Sequence, residues 1–192
     1  MRIHCLRHGV THANVAGRFN AHDDPLTDAE CAALSAVVFD ASGFDAVHCS
    51  PSRRAVQTAQ CLRIAHFTIE PRIAERNFGI FEGLTSDECA ARFPDEFSRF
   101  RTFDADFVVP RGESRAQNFA RVLEWVHDVA THRDVLAVTH GGTIDFLYRL
   151  AMGANLHGGD RIYAGANATL AIFDVDWPNV RLVDFDAPLT IG

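Results

Sequence analysis

Apolar and polar positions alternate along this chain in two rhythms. The short apolar runs RIHCL (2–6), AVHC (46–49) and VLAVT (135–139) read as buried strands. Between and after them lie segments whose apolar residues recur three and four apart. These are TDAECAALSAVVF (27–39), PSRRAVQTAQCL (51–62), ESRAQNFARVLEWVHDVA (113–130) and TIDFLYRLA (143–151), the pattern of amphipathic helices. In the second of these helices the sequence places Ser50 as N-cap and Pro51 at the first helical position. Further on, ATLAIFDV (168–175) and VRLVDF (180–185), separated by DWPN, predict an antiparallel hairpin. This order predicts an α/β fold: a three-layer α/β/α sandwich with helices on both faces of a mainly parallel sheet. Residues 85–112 fit the alternation poorly and are expected to form a small cap inserted in a single domain, 1–192.

The polar residues that interrupt the pattern fall at equivalent places. Arg7-His8-Gly9 closes the first strand, Ser50 to Arg54 follow the second, and His140-Gly141-Gly142 follow VLAVT. In an open α/β sheet ligands bind in the crevice beyond the carboxyl ends of the strands. His8, His140, Arg7 and an arginine of the Arg53-Arg54 pair are therefore predicted to meet there, although they are remote in sequence. The glycines suit close backbone approach, and the helix starts offer unpaired N–H groups to an anion. Two guanidiniums, two imidazoles and helix N-termini describe a phosphate site. His4, His8 and His12 are spaced four apart, which would make a metal site only on a helix; the strand pattern and Gly9 oppose that.

Composition narrows the partners. The 192 residues, 47% hydrophobic and 22% charged, suit one globular domain with a sizeable core. A net charge of −7 argues against nucleic acid, whose phosphate backbone wants a basic face. No apolar run approaches the roughly 20 residues of a membrane span, and MRIHCLRHGV lacks the apolar region of a signal peptide, so a cytoplasmic protein that does not bind membranes is expected. The five cysteines are scattered among apolar neighbours and read as reduced, buried thiols. All eighteen basic residues are arginine, which excludes a Walker-type loop and every lysine Schiff-base mechanism.

Four segments, in order and nearly chain-long, resemble the histidine phosphatase superfamily in its phosphoglycerate mutase-like branch. RHGVTHAN is similar to the family's Arg-His-Gly-x-Thr-x-x-Asn, and SPSRRAVQTA to its Ser-x-x-x-Arg-Ala-x-Gln-Thr-Ala. ERNFGIFEGLT resembles its Glu-x-x-x-Gly-x-x-Glu-Gly, and VTHGG its second-histidine motif. The resemblance implies His8 as nucleophile, with Arg7, Arg54, His140, Asn14 and Gly141 around the substrate phosphate and Glu75 as general acid. Arg54 is matched rather than Arg53 because it directly precedes Ala55. Neither a metal nor a cofactor is implied. The reaction implied is hydrolysis of a small soluble phosphate ester through a phosphohistidine on His8. The alternatives are a phosphoglycerate mutase, an α-ribazole phosphate phosphatase, or a non-catalytic binder of a phosphorylated ligand.

Against the mutase stand the absence of an adjacent basic pair between Glu75 and Gly112 and the mere seven residues after VRLVDF, too few for a lid. The segment DADFV (104–108) mimics the nucleophile motif of haloacid-dehalogenase-like phosphatases but has no strand before it and no lysine after it. There is no Cys-x5-Arg loop and no Gly-x-Ser-x-Gly elbow. Glu113 and Ser114 read either as a helix start with an acid at its positive end or as support for the site. Arg111 stands where the family more often has glycine, and reads as a substrate contact or an exposed residue. Phe93, Phe97, Phe100, Phe103 and Phe107 form a stripe that faces a core, or from which one or two line the pocket mouth and favour an apolar or aromatic substrate. The physiological substrate and the oligomeric state are not written in the sequence.

Overall fold

The computed structural model describes residues 1–156, 159, 162–163 and 165–189; the last three residues of the expected short tail, 190–192, lie outside it. Six strands make one sheet: β1 (Arg2–Arg7), β2 (Ala46–Cys49), β3 (Thr68–Ile69), β4 (Asp134–Thr139), β5 (Leu170–Asp176) and β6 (Asn179–Ala187). The helices are α1 (His12–Val15), α2 (Asp28–Ser35), α3 (Arg53–Cys61), α4 (Ser86–Arg92), α5 (Pro94–Phe100), α6 (Arg115–Asp128) and α7 (Gly141–Met152). The strand order is β3-β2-β4-β1-β5-β6. The first four are mutually parallel, whereas β5 runs antiparallel to β1 and to β6, as the hairpin pattern predicts.

The period of two along the central strands sorts the core into two layers. Ile3, Cys5, Val135 and Ala137 face α6 and α7, packing with Val122, Trp125, Ile144 and Leu147. Leu6, Leu136 and Val138 point the other way, toward α2 and α3, and meet Leu34, Ala55, Ala59 and Leu62. Cys5, Cys49 and Cys89 are buried and Cys31 and Cys61 half-buried, all five as free thiols.

Where the structure departs from the sequence pattern, the causes are local. The helix expected over 27–39 ends at Ser35, because Val37 and Val38 bring β-branched side chains into what would be its last turn. Helix α3 begins at Arg53 with Ser52 as N-cap, not at Pro51 with Ser50. Ser50 is drawn away to His140 instead, its Oγ 2.7 Å from Nε2 of that ring. Helix α7 starts two residues before the expected Thr143, because Gly141 and Gly142, poor helix formers by intrinsic propensity, open it nevertheless.

The segment that fitted the alternation poorly contains two seven-residue helices, α4 and α5, joined at Phe93. Thr85 and Glu88 form a reciprocal capping box at the start of α4. Phe81, Cys89, Phe97, Phe107 and Val109 make a third apolar cluster, separate from the two sheet layers. No strand precedes DADFV, where Asp104 merely accepts the backbone N–H of Asp106. Among the described residues, no helix is long and apolar enough to cross a membrane.

Candidate active site

Strand register brings the sequence-remote residues together. Arg7 pairs with Thr139 across β1 and β4, and the His8 N–H continues the ladder to the Thr139 carbonyl at 2.9 Å. His8 and His140 therefore leave neighbouring parallel strands at the same level, with ring centroids 5.1 Å apart. Ser50 follows β2, its N–H bonded to the Val138 carbonyl at 3.0 Å, and Arg54 lies in the first turn of α3. Arg54 is 2% exposed while Arg53 is exposed, so only one guanidinium of the pair turns inward.

The ring of His8 is held in one tautomer. Its Nδ1 lies 2.7 Å from the Gly9 carbonyl, an acceptor only, which places the ring proton on Nδ1. Nε2 accepts from Arg54 Nε at 3.3 Å and so carries the lone pair. The Gly9 N–H is tied to Thr58 Oγ1 at 2.9 Å, and Thr58 in turn donates to the Arg54 carbonyl at 2.7 Å. One hydroxyl thus couples the His8 loop to α3. Arg54 also donates to the Ala21 carbonyl at 2.7 Å, and Arg7 donates through Nη1 to the Gly165 carbonyl. Burial lowers the Arg54 pKa, opposed by the nearby carboxylates of Glu75, Asp24 and Glu82.

His140 is fully buried, and that burial, with the positive charge of Arg54 second, holds its pKa well below the ordinary histidine value. The Ser52 N–H donates to Ser50 Oγ at 3.2 Å, leaving the serine proton for His140 Nε2. That puts the imidazole proton on Nδ1, a buried atom without a hydrogen-bond partner in the structure. A neutral ring with a spare N–H is an anion ligand by hydrogen bonding rather than by charge. Gly141 follows at the first position of α7 and adds the positive end of that helix.

Asn14 takes part in the capping box of α1, its Oδ1 accepting the Thr11 N–H at 3.1 Å and also Asn167 Nδ2 at 3.4 Å. With the oxygen occupied, the amide N–H of Asn14 is what it has left to donate. Glu75 lies across the site on the segment that follows β3. Its Oε2 accepts the Gly142 N–H at 3.4 Å and Oε1 its neighbour's N–H, that of Arg76, at 3.0 Å. A Cβ at Gly142 would overlap Oε1 of Glu75, so any side chain there displaces that carboxylate.

Two residues that hold this arrangement, Arg121 and Asn167, carry no signal in the sequence. Arg121 on α6 donates to the carbonyls of Arg72 (2.6 Å), Ala74 (2.8 Å) and Glu75 (3.1 Å), fixing the backbone that presents Glu75. Glu113 grips the same guanidinium with both oxygens, at 2.8 and 2.9 Å. That gives Glu113 a supporting role, while Ser114 is the N-cap of α6. Asn167, beyond the motifs, donates to the His8 carbonyl at 2.9 Å. Arg111 is exposed, and its φ of 62° is a left-handed value that glycine adopts more freely. Gly79, with φ 51°, lies against the backbone of Pro110 to Gly112, where a side chain would collide.

The opening of the site is a cleft of about 520 Å³ lined by Asn20, His22, Arg54, Glu75, Arg76 and Glu82, among others. His4 sits apart, edge-on to Phe44 and 3.5 Å from Asp134, and His12 is exposed on α1. Among the described residues no group of three or more His, Cys, Asp or Glu side chains is placed to hold a metal ion.

A parallel α/β sheet whose carboxyl ends gather two histidines and two arginines beside a carboxylate defines a phosphate-handling α/β protein. Residues 3–187 match the family model described as histidine phosphatase superfamily (branch 1), and the chain belongs to that superfamily. The solved structure of Bacillus stearothermophilus YhfR superposes with a TM-score of 0.81 at 27% identity, covering 97% of this chain and 96% of that one. The metal-independent phosphoserine phosphatase of Arabidopsis thaliana is 29% identical over 155 residues, 74% of this chain and 65% of its own. A 2,3-bisphosphoglycerate-dependent phosphoglycerate mutase of Nitratidesulfovibrio vulgaris is 27% identical over 232 aligned positions, 98% of this chain and 87% of the mutase. An alignment that long against 192 residues means the mutase carries segments this chain lacks.

Proposed function

We propose that the protein is a metal-independent phosphomonoesterase, hydrolysing a small soluble phosphate ester through a phosphohistidine on His8. One observation carries the reading. The Nε2 lone pair of His8 is fixed by the Nδ1 contact with Gly9 and faced by Arg54, with His140 beside it. In the first step that lone pair attacks phosphorus. The bond from phosphorus to the leaving oxygen breaks, and its electron pair is protonated by the carboxylic acid of Glu75. In the second step the Glu75 carboxylate takes a proton from water, the water oxygen attacks phosphorus, and the N–P bond returns its electrons to His8. Arg7 and Arg54, the Nδ1–H of His140, the Asn14 amide and the Gly141 N–H stabilise the charge on the transferring oxygens. Residues 85–112 serve as the cap over this site.

Both the phosphatase and the mutase among the relatives are compatible with a phosphohistidine; they differ in what happens to the phosphoryl group. A mutase must retain it while a doubly anionic intermediate turns over, which needs a closed site and more cationic groups. The shorter chain favours loss to water. Incubation with 3-phosphoglycerate and a trace of 2,3-bisphosphoglycerate should therefore release inorganic phosphate faster than 2-phosphoglycerate forms; the opposite ranking makes the protein a mutase. With p-nitrophenyl phosphate, turnover should survive exhaustive dialysis against EDTA. Loss in EDTA restored by a single metal contradicts the mechanism, and no turnover of any ester points to a binding protein.

Gly142→Ala tests the placement of Glu75. Alanine is the better helix former by roughly 0.8–1 kcal/mol, so the fold should persist. The added methyl displaces the carboxyl by about an ångström, and kcat should fall roughly 10²-fold while KM changes little. An unchanged kcat, with the variant's melting temperature at or above wild type, would remove Glu75 from the chemistry.

A further inference from the structure

Resting on the phosphatase reading, we infer that the alcohol released from the substrate carries an aromatic group, bound in a phenylalanine-lined chamber on the far side of Glu75. The chamber, about 220 Å³, shares Glu75 and Arg76 with the polar cleft and reaches Gly142 at the start of α7. Its walls are phenylalanines from four separate parts of the chain: Phe19, Phe78, the Phe100 and Phe103 pair, and Phe119. A group attached to the oxygen that Glu75 protonates has this chamber directly beside it. An apolar cavity of about 150 Å³ is enough to take up benzene, so the space suits a phenyl ring or a somewhat larger one.

The geometry favours an aromatic occupant over a merely apolar one. Phe19 and Phe78 lie with centroids 5.0 Å apart, and Phe19 meets Phe100 edge to face at 5.6 Å. A further ring would extend that tilted and edge-on arrangement. The Arg76 guanidinium lies 5.2 Å from the Phe100 centroid and donates to the backbone carbonyls of Glu113 and Phe107, at 2.8 and 3.2 Å. Burial, with the Arg115 charge second, brings its pKa down to about 10, so it remains a cation able to face a π-system at neutral pH.

The acidic side chains of the chamber do not fit the ammonium group of an amino-acid ester. Asp145 is the one carboxylate there besides Glu75. It is already committed to Arg149 Nε and to the N–H groups of Ile162 and Tyr163, each at 2.8 Å. An ammonium group placed beside it would compete with three existing bonds. O-Phosphoserine should accordingly be a poor substrate, although a relative is named for it.

The test compares 2-phenylethyl phosphate, ethyl phosphate and O-phosphoserine, whose leaving alkoxides are alike in needing protonation, on the wild-type protein. The phenylethyl ester should show a kcat/KM at least about tenfold above the other two, since even one methylene in an apolar pocket is worth roughly that factor. Phe103 belongs to none of the three apolar clusters, so Phe103→Ala should fold, and it should lower the ratio of phenylethyl to ethyl turnover severalfold. Equal turnover of the three esters, or preference for O-phosphoserine, overturns the inference and leaves the phosphatase reading intact. Turnover of none of them, nor of p-nitrophenyl phosphate, removes the phosphatase reading itself. If Phe103→Ala fails to fold, the wild-type ranking decides alone.

Discussion

His8→Ala should abolish turnover while the protein stays folded. The side chain is 3% exposed and supplies the acceptor for Arg54 Nε, so its loss frees one buried donor and leaves a small cavity. Together these cost about 1–3 kcal/mol, within the stability of an ordinary domain. Catalysis is expected to lose far more, because among the described residues neither of the neighbours proposed to hold the phosphate replaces the lost lone pair: Nε2 of His140 faces Ser50, and the arginines have none to give. Brief exposure of the wild-type protein to a labelled phosphate donor, followed by quenching, should leave label on His8 that is acid-labile and base-stable. A variant that keeps more than about a hundredth of wild-type turnover has lost less than ~2.7 kcal/mol of transition-state stabilisation, too little for a nucleophile. Circular dichroism and thermal melting separate that outcome from unfolding.

The second largest effect is expected from Glu75→Gln, and it should depend on the leaving group. Glutamine keeps one oxygen, which can still accept the Arg76 N–H, and gives up only the longer 3.4 Å contact with the Gly142 N–H, so the side chain stays close to its place while the transferable proton is lost. For an alkyl phosphate the leaving alkoxide then departs unprotonated, and kcat should drop by roughly 10²–10⁴. p-Nitrophenolate leaves without help, so with that substrate the first transfer should remain fast. The second step still lacks its base. A burst of nitrophenolate close to one equivalent, followed by slow turnover and accumulated phosphohistidine, is the expected trace. Equal impairment of both substrates with no burst would assign Glu75 to binding rather than to proton transfer.

Much of the proposed catalytic set is legible in the chain because it falls at strand ends. A buried strand has no use for Arg7, His8 or His140, so their position after an apolar run already points outward from the sheet. Arg54 is picked out from Arg53 by the motif match, and the helix it starts on turns the two in different directions. The βαβ alternation is equally plain, since apolar periods of two and of three to four are set by local geometry. Chain sequence is weaker where elements are short. The helices α4 and α5, with only seven residues each, owe their persistence to the cluster around Phe81 and Phe97 rather than to a long amphipathic pattern.

What tertiary structure alone decides are the contacts between groups with no spacing in common. Arg121 is one polar residue on an amphipathic helix, yet it grips three carbonyls of the segment bearing Glu75. Asn167 reaches the His8 carbonyl from the far end of the chain, and Ser50 leaves its expected cap to orient His140. The phenylalanine stripe divides in space: Phe97 and Phe107 are buried in the third apolar cluster with Phe93 and Phe100 packed against it, and Phe100 and Phe103 also line the chamber beside Glu75. Periodicity fixes which way a side chain points from its own backbone. Which partner waits there depends on how separate elements pack, and that is set by long-range contacts no local pattern encodes.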